Sequence, residues 1–83
     1  MNYKLQISKK TFQALKKLDR SKKEEITKVF NKILNDPFSF KPLKYELKGF
    51  YRARIGKYRI IFRVDNDIVY IEVIEHRKKV YSY

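Results

Sequence analysis

Four arginines, Arg52, Arg54, Arg59 and Arg63, fall within the stretch FYRARIGKYRIIFR, residues 50–63. The guanidinium group is a planar, permanently charged fork that donates to phosphate in bidentate fashion and stacks on bases. In the same stretch Gly56-Lys57 separates two alternating runs, the pattern of a two-residue hairpin turn. If Ile55 pairs with Tyr58, Arg54 sits opposite Arg59, and like charges facing each other across strands are destabilising. Two accounts fit this arrangement. In the structural one, both guanidiniums splay into water and Glu72 neutralises Arg52 across Ile61. In the functional one, the cluster receives an anion across the middle of a sheet, and removing Arg59 relieves repulsion while costing activity.

Other chemistries find little support. His76 is the single histidine and the chain has no cysteine, so a zinc site has too few nitrogen and sulfur ligands. The nine Asp and Glu residues are scattered through helix caps and turns, which argues against a two-metal cage. Two glycines are too few for a phosphate-binding glycine loop, and a Ser-His-Asp set lacks any local signature. Catalysis on nucleic acid is therefore expected to need no metal and no cofactor. Positioned cations would stabilise the transition-state charge while a side chain moves the proton. RNA permits this, because its 2′-OH can attack the adjacent phosphate.

The charge balance points the same way. Twenty-one Lys and Arg against nine acids give +12 on 83 residues. Lysine-rich surfaces of heat-adapted proteins usually add Glu as well; here the excess is one-sided and suits a polyanionic partner. A membrane partner is not expected, since no helix sets a basic face against an exposed apolar one. The first ten residues, MNYKLQISKK, alternate and offer no apolar signal segment. With no cysteine, a reducing cytoplasm is the default expectation.

One small domain over residues 1–83 is expected, read as β-α-α-β-β-β. Tyr3, Leu5 and Ile7 alternate as in a strand. Ser8 caps a helix carrying Phe12, Leu15 and Leu18. Ser21 and Glu24 have capping-box spacing, followed by Ile26, Val29, Phe30, Ile33 and Leu34 at helical period, ending before Pro37. Burying those five side chains contributes on the order of 10 kcal/mol before entropy is charged. PFSFKP is a connector folding back over the core, and Leu43, Tyr45 and Leu47 mark a short strand or extended segment. The hairpin strands follow, and Asn66-Asp67 turns into a last strand from Ile68.

These turns sort the faces. Tyr51, Ala53, Ile55, Tyr58, Ile60, Phe62, Val64, Val69, Ile71 and Val73 are expected beneath the helices. Arg52, Arg54, Arg59, Ile61, Arg63, Tyr70, Glu72 and Ile74 are expected on the other side. A one-residue slip would fill the core with arginine.

The element order, together with LKGFYRARIGKYRIIFRV (residues 47–64) and IEHRKKVY (residues 74–81), resembles the RelE/ParE toxin superfamily of prokaryotic toxin–antitoxin systems, its RelE-like branch above all. The resemblance implies an α+β fold, with a two-helix N-terminal hairpin on one face of a mainly antiparallel four-stranded sheet. It implies a metal-independent endoribonuclease that cleaves mRNA in the ribosomal A site and is silenced by an acidic, RelB-like antitoxin. Its catalytic set falls here on Arg52, Arg54, Arg59, Arg77 and Tyr81, with Tyr81 linked to base stacking or proton transfer. Lys44, Lys48, Arg63 and Lys78 are read as RNA contacts. Arginines stand at 52 and 54 where lysines can sit in the family, and an arginine does not serve as a base. His76 is then a candidate for proton transfer, or an ordinary strand-end residue. The free protein is expected to be monomeric, its apolar stripes being committed to the core. The alternatives are a ParE-like toxin of DNA gyrase and a non-catalytic nucleic-acid-binding module.

Overall fold

The computed structural model describes residues 2–76; Arg77, Lys78 and Tyr81 lie outside them. Strand β1 (Lys4–Ile7) leads through a helical hairpin, α1 (Lys9–Lys16) and α2 (Arg20–Asn35), and a 3-10 turn at Pro37–Ser39 to a two-residue strand, β2 (Lys41–Pro42). A second 3-10 turn, Tyr45–Leu47, precedes β3 (Phe50–Ile55), β4 (Tyr58–Asp65) and β5 (Ile68–His76). The sheet order is β1-β5-β4-β3-β2. The pairings are antiparallel except that of β1, which lies parallel to β5.

The sheet thus has five strands where four were expected, because Lys41 and Pro42 pair with Arg52 and Tyr51. A proline there is tolerated because β2 is an edge strand. The Leu43–Leu47 segment is not extended: Leu47 N donates to Lys44 O and Lys48 N to Tyr45 O, closing a tight turn.

Helix α2 lays Ile26, Phe30 and Ile33 against Ala53, Ile55, Ile60, Phe62, Val69 and Ile71 in one buried core. Its N-cap is Asp19, whose side chain accepts from Lys22 N at 2.8 Å, so the helix starts before Ser21 and is capped by Asp19 in place of the expected Ser21–Glu24 box. Ser8 caps α1 as its position suggests, accepting from Thr11 N. The apolar stripe of α1 is only partly used, because Phe12 stays half exposed while Thr11 is buried. The connector does fold back, with Phe40 edge-on to Phe62 at 5.8 Å.

Both tight turns form, and Ile55 pairs with Tyr58. Gly56 and Asn66 each take φ 55°, a left-handed conformation that glycine adopts freely and asparagine tolerates. One irregularity redirects the last strand. Ile61 pairs with Val73 but Phe62 with Ile71, leaving Glu72 as the additional residue of a bulge. Beyond it the faces exchange: Val73 lies opposite Ile61, away from the helices, and Ile74 packs against the core. Thr11 fastens this bulge to α1, its Oγ1 donating to Glu72 O at 3.0 Å and accepting from Ser8 Oγ at 2.9 Å.

Candidate nucleic-acid interface

The side chains of Arg52, Arg54, Arg59 and Arg63 belong to the sheet face turned away from the helices, as the hairpin register requires. Arg54 and Arg59 are direct cross-strand partners. Arg54 is exposed, with no ion pair or hydrogen bond among the described residues, while Arg59 is half-buried. A shallow notch of about 50 Å³ opens between them, lined also by Gly56, Lys57 and Tyr58. That is room for one small anionic group and not for a whole nucleotide, given roughly 30 Å³ for a single water.

The opposition of charges is resolved by a carboxylate that sequence reasoning did not place on this face. Past the bulge, Glu75 pairs with Arg59 in register, and Arg59 Nε lies 2.6 Å from Glu75 Oε1. The Glu75 side chain is fully buried. Without the bulge Glu75 would have pointed to the core side. The only sequence signal was an acid in an otherwise apolar strand, IVYIEVIEH.

Glu72, which the structural account sets across Ile61 from Arg52, meets Arg63 at 3.3 Å. Arg63 also stacks over Tyr70, its guanidinium carbon 4.0 Å from the ring centre, a geometry that adds cation–π attraction. Arg63 is therefore tied into the sheet on two sides. Ile61 is buried on this outer face, where the aliphatic stems of neighbouring arginines can cover it.

His76 stands elsewhere. It is the register partner of Tyr58, with the rings edge-on at 4.9 Å. Both residues line a groove between α1 and the sheet, along with Lys10, Gln13 and Leu18. That is the helix side, so the strand's alternation sets His76, read from the sequence as either a proton carrier or an ordinary strand-end residue, on the face away from the arginine side chains. Lys44 and Lys48 are exposed and flank the 3-10 turn beside β3. Among the described residues no three of His, Asp and Glu are grouped as metal ligands, and no helix is long and apolar enough to cross a membrane.

The family model for the ParE toxin of the type II toxin–antitoxin system parDE matches residues 5–81. A curated relative, Toxin RelE of Mycobacterium tuberculosis, is 36% identical over 56 residues, covering 66% of this chain and 58% of the relative. The match therefore spans less than two thirds of that protein. The toxin–antitoxin complex RelBE2 from M. tuberculosis contains a chain that superposes with a TM-score of 0.82 at 28% identity, covering 93% of this chain and all of that one (100%). A chain of the archaeal RelE–RelB complex from Pyrococcus horikoshii superposes with a TM-score of 0.78 at 26% identity, over 96% of this chain and 100% of the other.

Proposed function

The chain belongs to the ParE toxin family of type II toxin–antitoxin systems, within the RelE-like superfamily, and from that premise we propose that it is an endoribonuclease acting on mRNA in the ribosomal A site. The observation that carries this reading is the facing pair Arg54 and Arg59 over an anion-sized notch. The scissile phosphate sits against Arg54, whose fork has no ion-pair or hydrogen-bond partner among the described residues, with Arg52 two residues back along the same strand face. Arg59 supplies the second donor. Its guanidinium is oriented by Glu75, which serves as a positioning residue.

The reaction needs no group from outside the chain and its RNA. The substrate 2′-hydroxyl gives up its proton to a general base as its oxygen attacks phosphorus, the bond to the 5′-oxygen breaks, and the leaving oxygen takes up a proton, so the proton count is unchanged. The products are a 2′,3′-cyclic phosphate and a 5′-hydroxyl. Arginines stabilise the extra negative charge of the phosphorane-like transition state, an electrostatic role in which one donor is typically worth about 10²–10³ in rate. The proton carrier is not His76, which lies on the other face. On the family resemblance alone, Tyr81 keeps its role in base stacking or proton transfer, Arg77 its place in the catalytic set and Lys78 its place as an RNA contact.

A ParE-like toxin of DNA gyrase is the second reading, favoured by the description of the matching family. Expression in a translating extract, with the ends of mRNA mapped, separates the two. The proposal expects new 5′ ends within translated codons that vanish when initiation is blocked. Intact mRNA with arrested supercoiling would favour the gyrase reading.

A further inference from the structure

Five tyrosines fall among the described residues, and four have ring partners. Tyr3 meets Phe38, Tyr51 stacks on Phe62, Tyr58 meets His76 and Lys22, and Tyr70 lies under Arg63. Tyr45 is the exception. Its ring makes no aromatic or cation–π contact among the described residues, and it is 87% exposed, far more than Phe12 at 50% or Phe38 at 56%. Those two are at least partnered, Phe12 by Lys16 and Phe38 by Tyr3 and Tyr51.

The backbone at Tyr45 is also unfavourable, with φ 59°. Bulky side chains rarely adopt that conformation, and such outliers cost about 1–3 kcal/mol and collect at functional sites. The turn holds it there through the Leu47 N–Lys44 O and Lys48 N–Tyr45 O bonds. Glycine or asparagine would suit the position better. Folding therefore gains little from a tyrosine here: the residue buries little surface and its backbone is strained.

We propose that Tyr45 is a stacking platform for one base of a single-stranded RNA, with Lys44 and Lys48 meeting the flanking phosphates. An exposed ring between cationic side chains is the combination that binds single strands, stacking on bases irrespective of sequence while lysines track the backbone. The turn is joined to the arginine strand by Leu43 N donating to Phe50 O at 2.9 Å, and Lys41 at the edge pairs with Arg52. A strand seated at Arg52 and Arg54 would leave the sheet over this edge. The inference rests on the RNA reading above and adds a subsite to it.

The test uses a short RNA blocked against cleavage by 2′-O-methyl groups, carrying 2-aminopurine at successive positions. On titration with the native protein, fluorescence quenching is expected at one position. Tyr45→Ala should abolish it and weaken binding about 5- to 100-fold, the effect of losing one stacked base. Tyr45→Phe should retain both. Tyr45→Asn should bind as weakly as Tyr45→Ala while melting a few degrees higher, because it relieves backbone strain without touching the core. Native affinity and quenching in Tyr45→Ala, with affinity lost in Arg54→Ala, would overturn the stacking site and leave the RNA reading standing. A loss confined to antitoxin binding would overturn it too, making Tyr45 a protein contact. Failure of the native protein to bind RNA at all would sink the RNA reading itself.

Discussion

Arg59 and Glu75 form an ion pair, Nε to Oε1 at 2.6 Å, with the carboxylate side chain fully buried and the arginine one-third exposed. This contact reverses the expected stability effect of removing Arg59. Cross-strand repulsion from Arg54 alone would make Arg59→Ala neutral or stabilising. Taking the Arg59 charge away from a buried carboxylate outweighs that, since breaking a buried pair from one side costs about 3–5 kcal/mol. Partial exposure of Arg59 lowers the expectation to about 2–3 kcal/mol. Urea unfolding should show this loss for Arg59→Ala and recover most of it in the double variant Arg59→Ala/Glu75→Leu. An unchanged midpoint in Arg59→Ala would mean that the pair contributes nothing.

The bulge that turns Glu75 toward Arg59 is held by the Thr11 hydroxyl on the Glu72 carbonyl. Thr11→Val keeps the shape and deletes the bond. It should lower stability by about 0.5–1.5 kcal/mol, the net contribution of one intramolecular hydrogen bond. If the bulge loosens, cleavage should fall with it, although Thr11 lies on the helix side and cannot touch RNA. Thr11→Ser, which restores the hydroxyl, should recover both.

The hairpin, the core face as far as Ile71 and the opposition of Arg54 to Arg59 were legible in the sequence, because two-residue turns fix register and register fixes faces. Asp19 outcompeted Ser21 as a cap because both are good capping residues two positions apart. The failure at Glu72 is of another kind. Alternation runs unbroken on paper through IVYIEV, and only the tie from Thr11, 61 positions away in sequence, marks where the extra residue goes. Val73 and Ile74, the residues assigned beyond it, went to the wrong faces. The two-residue strand β2 and the left-handed Tyr45 were equally hidden, since neither follows from a local pattern.

A +12 chain also presents an acidic antitoxin with a strong field. If such a partner covers the arginine face, association should be steered by charge and slow steeply with salt. Stopped-flow mixing at about 50 mM and about 500 mM salt brackets a severalfold change in screening length. A rate that falls tenfold or more fits direct cover. An indifferent rate would place the antitoxin on an apolar surface and reserve the positive charge for RNA.

The most direct test of the central claim is single-turnover cleavage on programmed ribosomes, comparing the native protein with Arg54→Ala and identifying the chemistry of the new ends. Among the described residues Arg54 makes no ion pair or hydrogen bond, so its variant should melt at or slightly above the native temperature. The account predicts a rate lower by about 10²-fold or more, with native cleavage leaving a 2′,3′-cyclic phosphate and a 5′-hydroxyl. Cleavage by Arg54→Ala at the native rate, or ends carrying a 3′-hydroxyl and a 5′-phosphate, would contradict it.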